Sequence, residues 1–349
     1  MKKMKIVGVF MRKFHLFLML LLVISPGCIF GLKIINLRFN HDGSKIFVVE
    51  EKGKHYELYI LDEKLTRKQF IYSGSFEPSN ISSNPAKNIL LFTYSANGNG
   101  KHFICIYDCN EYKYLYKKQH TLGEGWIEWN KRGDKIYFGE TVINVNEEFK
   151  ETINSKTNFT PQIDGLTGSV DNFDWSDEKD ICIYTKHNEL FLYDTRSRMS
   201  RKLKTLDSFD NEYEHYFTGA FLISEDLILY SYQKGPEFPG KIALLDTKTC
   251  TVKNIYLAPY DYSSSKDAMV ALSIERVIDD ECVIFSEYVV ISECLPRKFN
   301  FYLLNTKNQK VIRLFEVKDE TPVWDYNQNT KKLVYLQKNR VKLADVKNP

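Results

Sequence analysis

The sequence predicts an all-β fold in which seven similar four-stranded antiparallel sheets form a ring, a β-propeller. Short strand-like runs occur along the whole chain, and no window keeps a helical apolar period over a dozen residues. Three local features also recur in a constant order, about every 47 residues. An apolar content of 43%, with 14% aromatic residues, supplies enough hydrophobic surface for such a core.

The first recurring feature is a polar turn that follows a strand ending in an aromatic residue. Asn, Asp and Gly in these turns tolerate the positive φ that tight hairpins require. The turn is found in four segments: Leu37 to Phe47, Ile127 to Tyr137, Phe173 to Ile181, and Trp324 to Leu333.

The second feature is an apolar residue followed by an aromatic one, on the next predicted strand: Ile46-Phe47, Leu91-Phe92, Ile136-Tyr137, Ile183-Tyr184, Leu229-Tyr230, Ile284-Phe285 and Val334-Tyr335. The third feature is an apolar strand that ends in Asp or Asn: Asp62, Asp108, Asn146, Asp194, Asp246, Asn305 and Asp345.

Four short strands per unit at this period are typical of propeller blades. The blades are expected to begin near residues 33, 76, 124, 169, 214, 268 and 320. The units around Asp108 and Asn305 lack a clear first turn, which leaves a six-bladed ring as the alternative. The propeller domain is expected to span residues 32–349.

Residues 1–31 are predicted to form an export signal peptide or a lipoprotein signal. Five basic residues precede or interrupt an apolar stretch, and the core from Phe14 to Ile24 is shorter than the about twenty residues of a membrane span. Ser25-Pro26-Gly27-Cys28 shares the Gly-Cys pair of a lipobox but differs from it at Ser25 and Pro26. Cys28 is therefore a candidate lipid-attachment site, with plain secretion as the open alternative.

Charge and cysteine content exclude several classes of partner and cofactor. Without residues 1–27 the chain has 43 basic and 45 acidic side chains, so we expect no nucleic-acid binding. The six later cysteines follow no disulfide framework, and most are expected to be small buried apolar residues. No spacing of Cys and His indicates zinc, and we expect no metal and no cofactor.

The segment Phe39-Asn40-His41-Asp42-Gly43-Ser44-Lys45-Ile46 resembles the core motif of TolB-like, WD-like propeller repeats. Trp175-Ser176-Asp177 and the Asp-ended third strands are similar to the same pattern. The resemblance covers residues 33 to 347, although only one unit keeps the complete Asp-Gly-x-Lys turn. It implies an envelope protein that binds other proteins, and it carries over no catalytic residue.

The residues themselves indicate no catalytic constellation. None of the histidines His41, His55, His102, His120, His187 and His215 lies in a recognisable nucleophile motif. A carboxylate pair would have to come from Asp171, Asp174, Asp279, Asp280, Glu281 and Asp325. The alternative function is therefore a hydrolase or lyase that acts on a polysaccharide or peptide from the central pocket.

A binding face is predicted where the longer, more variable loops lie. These loops join second to third strands and connect consecutive blades, so they all lie at one end of the ring. Tyr213, Tyr216, Tyr260 and Tyr262 are the candidate partner-binding residues there. The alternative is that several of these rings pack back onto the blades.

The sequence leads to one main functional hypothesis: an exported propeller, periplasmic or membrane-anchored in the cell envelope, that binds an envelope protein or a cell-wall component as a non-enzymatic scaffold. Any membrane contact would be through a lipid at Cys28. The last unit, which ends at Asp345, lacks an outer strand, and Ile29 to Lys33 is the expected source of one.

Overall fold

Seven antiparallel sheets follow one another along the chain in the computed structural model. It describes residues 32–96, 101–121, 127–130, 132–138, 141–153, 172–176, 180–194, 196–197, 199–206, 216–233, 239–258, 269–279, 281–290, 298–318 and 322–346. The predicted seven-bladed β-propeller is confirmed, and the six-bladed alternative is wrong.

Each sheet is built from strands that are consecutive in the chain. The first two sheets contain β1 (Leu32–Phe39), β2 (Lys45–Lys52), β3 (His55–Asp62) and β4 (Arg67–Gly74), then β5 (Ser79–Ser83), β6 (Ile89–Ser95), β7 (Lys101–Asp108) and β8 (Lys113–Thr121). The third and fourth contain β9 (Ile127–Trp129), β10 (Lys135–Phe138), β11 (Thr141–Asn144) and β12 (Lys150–Ile153), then β13 (Asn172–Ser176), β14 (Ile181–Lys186), β15 (Glu189–Asp194) and β16 (Met199–Thr205). The fifth and sixth contain β17 (Tyr216–Ser224), β18 (Leu227–Gln233), β19 (Lys241–Asp246) and β20 (Val252–Leu257), then β21 (Met269–Val277), β22 (Cys282–Val290), β23 (Lys298–Asn305) and β24 (Val311–Lys318). The seventh contains β25 (Trp324–Asn327), β26 (Lys332–Gln337) and β27 (Arg340–Asp345).

The first strands of neighbouring sheets contact one another and therefore lie innermost in the ring. Strand β1 contacts both β25 and β5, and β17 contacts both β13 and β21. The contact between β1 and β25 closes the ring, because it joins the first sheet to the seventh.

The hydrophobic core lies between adjacent sheets. Side chains alternate along each strand, so both faces of a blade can be buried. Phe47 and Leu58 of the first sheet pack with Leu90 and Phe92 of the second. Tyr59 on the opposite face of the first sheet packs in a cluster that includes residues of the seventh.

Six third strands end at the Asp or Asn expected from the sequence, and in five of them that side chain caps the following turn. Asp194 Oδ1 accepts hydrogen bonds from the backbone N–H of Arg196 and Ser197 at 2.9 and 2.8 Å. Asp62, Asp108, Asp246 and Asn305 accept equivalent bonds. The seventh assignment, Asn146, is wrong, since β11 ends at Asn144 and Asn146 lies in the 3₁₀ turn Val145–Glu147.

A buried asparagine organises the first turn of four sheets. Asn40 and Asn130 each accept a backbone N–H from a residue five positions later, at 2.9 and 3.1 Å. Asn84 accepts N–H groups from Ala86 and Lys87, both at 2.8 Å, and Asn327 accepts one from Thr330 at 2.9 Å. The sequence analysis found no turn at Asn84, because this segment lacks both the preceding aromatic residue and the glycine of the turns at Asn40 and Asn130.

Two of these asparagines, Asn327 and Asn84, also bind the backbone of the first turn in the next sheet. Asn327 Nδ2 donates to the carbonyl oxygens of Asn40 and His41 at 2.9 and 3.0 Å, which joins the seventh sheet to the first. Asn84 Nδ2 donates to Gly133 O at 2.7 Å, which joins the second sheet to the third. These bonds are buried, so their loss leaves polar groups without water.

The seventh sheet has three strands among the residues that the structure describes. The segment Ile29 to Lys33 was expected to supply a fourth strand to this sheet. Its last two residues, Leu32 and Lys33, instead pair with Lys52 and Glu51 within the first sheet. That expectation is wrong for these two residues, because they extend the innermost strand β1. Ile29 to Gly31 lie outside the described residues.

The cysteines in the described ranges are free thiols: Cys105, Cys109, Cys182, Cys250 and Cys282. Three of them are buried, and burial raises the pKa of Cys105, Cys109 and Cys182 to about 12. These thiols therefore stay protonated at neutral pH and act as small apolar residues. Cys250 is exposed and Cys282 is half-buried.

The first testable prediction concerns the turn that closes the ring. Gly43 has φ +71°, and a Cβ added to it would lie 2.6 Å from Thr330 Oγ1 in the seventh sheet. Gly53 has nearly the same φ, +67°, with nothing within 4 Å of an added Cβ. We expect Gly43→Ala to lower the free energy of unfolding by about 2–4 kcal/mol, since it combines backbone strain with a clash.

Gly53→Ala is the matched control, and we expect a loss of about 1 kcal/mol from backbone strain alone. Urea unfolding followed by tryptophan fluorescence measures both variants. Equal losses for the two would show that the contact between the Gly43 turn and the seventh sheet does not stabilise the ring.

Candidate functional site

The ring has two chemically different ends. Turns between first and second strands, and between third and fourth strands, lie at one end, which we call the turn end. Turns between second and third strands, and the connections between sheets, lie at the other, which we call the loop end. Candidate sites were expected at the loop end and in the central channel.

Asp325 of β25 is the centre of a charged cluster on the innermost strands. Its Oδ1 lies 2.6 Å from the Nη1 of Arg276 in the sixth sheet and 3.6 Å from the Nη1 of Arg38 in the first. Its Oδ2 accepts the backbone N–H of Phe39 at 2.6 Å. One carboxylate thus connects three consecutive sheets.

The two arginines extend this cluster. Arg276 also donates to the carbonyl oxygen of Tyr326 at 2.9 Å and lies over the Trp324 ring at 5.4 Å. Arg38 donates through Nε to Ile81 O at 3.3 Å, in the second sheet. Burial lowers the pKa of the Arg38 guanidinium, and the charge of Asp325 opposes that effect. The cluster is therefore a structural link that holds four sheets together.

Asp174 of β13 occupies the equivalent place in its sheet and has a similar role. Its Oδ2 accepts the backbone N–H of Leu222, in the next sheet, at 2.7 Å. Among the other candidate carboxylates, Asp279 caps a turn through the N–H groups of Glu281 and Cys282, and Glu281 pairs with Lys307. Asp171 and Asp280 lie outside the described residues. The structure therefore assigns no acid–base pair to the carboxylates that it describes.

The candidate histidines do not converge in the part of the chain that the structure describes. His41 lies in the first turn, where its carbonyl oxygen accepts from Asn329 at 2.9 Å, and His55 Nε2 lies 2.7 Å from Ser73 Oγ in the outer strand of the same sheet. His102 belongs to β7 and His187 to the turn after β14. His215 lies outside the described residues. Within the described ranges, no group of three or more His, Cys, Asp and Glu side chains could hold a metal ion.

His120 belongs to a polar cluster that sequence reasoning missed. Tyr116 OH lies 2.7 Å from His120 Nε2 and donates to Glu151 Oε1 at 2.5 Å. Lys118 Nζ also binds Glu151, at 2.8 Å. These contacts join β8 to β12, the outer strands of the second and third sheets. No sequence motif connects Glu151 to the other three residues, because it lies 31 or more positions after them and in the next sheet.

Burial has opposite results for the two ionisable groups of this cluster. It lowers the pKa of His120, outweighing the charge of Glu151, because a charged imidazole would lose its water. For Glu151, burial alone would raise the pKa, but hydrogen bonds from Lys118 and Tyr116 reverse that effect and lower it. The histidine is therefore neutral and the carboxylate ionised at neutral pH.

Of the four candidate tyrosines, only Tyr216 falls within the described residues. It begins β17 at the loop end, pairs with Gln233 across β18, and is 37% exposed. Tyr213, Tyr260 and Tyr262 lie outside the described ranges, as does Cys28. The proposed convergence of the four tyrosines stays a prediction.

Other aromatic side chains lie toward the loop end of the fifth and sixth sheets. Lys241 Nζ lies 5.7 Å from the ring of Tyr232, whose hydroxyl donates to Asn254 Oδ1 at 3.3 Å. In the sixth sheet, Tyr288 and Phe299 have ring centroids 4.5 Å apart. Leu257, at the loop end of β20, is 58% exposed. The described part of this end thus offers aromatic and aliphatic surface beside polar groups, a composition that suits macromolecular contact.

Together the ring and its polar links define a seven-bladed β-propeller in which Asp174 and Asp325 connect neighbouring sheets. No family model matches the sequence, and no curated protein matches it. Among solved structures, the chain is similar to the β-propeller domain of Cps50 (Swd1) from Myceliophteria thermophila, with a TM-score of 0.51 and 14% identity over 90% of this chain and 100% of that chain. At this identity the likeness shows the fold alone.

A second similar structure comes from a study of two prolyl endopeptidases. It has a TM-score of 0.49 and 11% identity, and the match covers 88% of this chain and 47% of that chain. The TolB-like resemblance has no matching family model behind it and stays a prediction. In the described residues, no helix has the length and apolar character needed to cross a membrane.

The charged cluster leads to a stability prediction. Asp325→Ala leaves Arg38 and Arg276 without their shared carboxylate and removes the acceptor of Phe39 N–H. We expect the free energy of unfolding to fall by about 3 kcal/mol, as for a broken buried ion pair. Denaturant titration monitored by tryptophan fluorescence is suitable, because Trp324 stacks on Arg276.

Asp226→Ala is the control, since it removes an exposed pair with Lys248. The expected loss is below about 1 kcal/mol. If the two variants lost the same stability, Asp325 would not be a structural link between sheets.

The His120 cluster leads to a pH prediction. The pKa of His120 is lower in the folded chain than in the unfolded chain, so the unfolded state takes up more protons as the pH falls below about 6.5. The free energy of unfolding of the wild type should therefore decrease between about pH 7.5 and about pH 5.5. In His120→Gln this decrease should be smaller.

His55→Gln provides the comparison, because His55 is exposed and lies outside the cluster. Both variants and the wild type are measured in the same chemical-unfolding series. An unchanged slope in His120→Gln would contradict the assignment.

Proposed function

We propose that this protein is an exported, envelope-associated β-propeller without enzymatic activity, which binds an envelope protein or a cell-wall component as a scaffold. The observation that carries the proposal is the use of the described inner-strand carboxylates. Asp174 and Asp325 accept backbone N–H groups of neighbouring sheets, and Asp325 is further neutralised by two arginines. Because these carboxylates stabilise contacts between sheets, we expect the surfaces of the ring to bind the partner.

The loop end supports recognition of a macromolecule. Tyr216 and Leu257 are exposed there, and a large amphipathic tyrosine ring can contribute both apolar area and a hydroxyl group. The basic segment and apolar core before Ser25 support export, and Cys28 supports a lipid anchor as one form of envelope attachment. Oligomeric state is not part of the proposal.

The alternative function, a hydrolase or lyase acting on a polysaccharide or peptide in the central pocket, is favoured by no observation in the described residues. The likeness to the prolyl endopeptidase structure lies below a TM-score of 0.5 and carries no argument.

Crosslinking in intact cells of the source organism tests partner and compartment together. We expect wild-type protein to crosslink to an envelope protein or to cell-wall material. The variant with Tyr213, Tyr216, Tyr260 and Tyr262 all changed to Ala should lose this crosslink, because the rings would supply most of the binding free energy. Mass spectrometry of the same samples identifies the N-terminal peptide of the protein and detects any lipid attached to Cys28.

Tyr112→Ala is the matched control, since Tyr112 has the same 37% exposure but lies at the turn end. It should keep the crosslink, and all variants should keep the wild-type circular dichroism spectrum. A retained crosslink in the fourfold variant would discard the proposed face. A chain recovered only from the cytosol, with residues 1–27 still present, would discard export.

A further inference from the structure

The outer edge of the seventh sheet differs from the same position in the other blades. In the first and second sheets the third strand is covered by a fourth, and Leu58 to Leu61 of β3 and Ile104 to Tyr107 of β7 are all buried. Strand β27 is the third strand of its sheet and the outermost in the described residues. None of its side chains is fully buried.

The backbone of β27 is oriented for pairing with another strand. Leu336 N–H donates to Val323 O at 2.9 Å, and Val346 N–H donates to Lys331 O at 2.8 Å. Successive residues of a strand direct their N–H and C=O groups to opposite sides. The backbone N–H and C=O of Leu336 point toward β25, and Leu336 is paired with Val341 of β27. The backbone groups of Val341 therefore point away from β26. By the same alternation, those of Leu343 and Asp345 also point to the outer edge of the sheet.

An apolar row follows the same edge. Val341 and Leu343 are half-buried and pack on the cluster between the seventh and first sheets. Leu65, beyond β3, packs on this cluster too. Phe70 of β4 lies with its ring centroid 6.0 Å from that of Tyr59 in the cluster and is 49% exposed. A strand added beside β27 would cover this surface on one of its faces.

The other face of β27 is basic. Arg340 and Lys342 are exposed, as is Lys338 in the preceding turn. Within the described ranges, no carboxylate forms an ion pair with any of these three, whereas Lys332 of β26 pairs with Glu63 at 2.8 Å. An added strand would place every second side chain opposite Arg340 and Lys342.

The charge selects the kind of strand that can bind. A second copy of β27 would bring Arg340 and Lys342 against basic residues, and like charges directly opposite each other are destabilising. Acidic side chains at those positions would be favourable, while apolar side chains at the alternate positions would contact Leu343 and Phe70.

We propose that the edge of β27 binds an extended segment of a partner protein in which apolar and acidic residues alternate, and that this segment adds a fourth strand to the seventh blade. Main-chain hydrogen bonds to Val341 and Leu343 supply affinity, and the alternating side chains supply specificity. This surface lies on the outer rim, apart from Tyr216 at the loop end, so either proposal can fail without the other.

The test is a titration of full-length protein into fluorescein-labelled peptides, read by fluorescence anisotropy. The probe is a nine-residue peptide of alternating Glu and Val. The controls have Lys in place of Glu, or the same Glu and Val residues in two separate blocks. We expect saturable binding of the alternating acidic peptide, roughly tenfold tighter than that of either control. The Lys peptide cannot form the two ion pairs, and the block peptide cannot place its Glu residues opposite both Arg340 and Lys342.

Two variants locate the site. Leu343→Pro removes an N–H at the open edge that β26 does not use, so it should fold and lose peptide binding. The double variant Arg340→Glu and Lys342→Glu should reverse the preference and bind the alternating Lys and Val peptide. Leu343→Val is the matched control and should bind as the wild type does. If Leu343→Pro does not fold, the charge-reversal variant decides.

Several outcomes would overturn the proposal. One is the absence of saturable binding of the acidic peptide to the wild type. Another is binding of this peptide to Leu343→Pro or to the charge-reversal variant as tightly as to the wild type. A third is peptide binding only after residues 1–31 are deleted, which would mean that the chain's own N-terminal segment occupies the edge. A wild-type dimer that Leu343→Pro dissociates would assign the edge to a second copy.

Discussion

The buried asparagine of the first turn is the contact on which the ring depends. Its side-chain oxygen shapes the turn within one sheet, and its side-chain N–H₂ binds the backbone of the next turn, as Asn327 does with Asn40 and Asn84 does with Gly133. One residue thus fixes both a local hairpin and the angle between two blades. Glycine is required where the receiving turn has positive φ and the neighbouring side chain lies too close for a Cβ, at Gly43 and Gly133.

The charged groups near the centre extend the same principle. Within the described residues, backbone and side-chain contacts join the seventh sheet to the first and close the ring. Asp325 serves this purpose by accepting Phe39 N–H and neutralising Arg38 and Arg276. These groups therefore act as links between sheets in the part of the chain that the structure describes.

Several elements were predictable because they depend on local chemistry. The Asp at the end of a third strand caps the turn that follows it, so the residue and the strand end coincide at Asp62, Asp194 and Asp246. The prediction was wrong at Asn146, where β11 ends two residues earlier. The turn at Asn84 could have been found from its spacing, since Asn84 N–H binds the carbonyl five residues later, as Asn40 and Asn130 do.

The sequence by itself predicted seven blades, with six as the alternative, together with the strand order and several turns, because these strand and turn signals lie within each repeat. Only the tertiary structure decided which polar groups meet across sheets. His120 and Glu151, or Arg276, Asp325 and Arg38, come from different repeats and have no shared pattern. The tertiary structure also decided the character of the outermost described edge of the seventh sheet. There Arg340 and Lys342 lie on one face of β27, and Val341 and Leu343 lie on the other, packed against the first blade. Long-range contacts of this kind depend on the angle between blades, which no single repeat encodes.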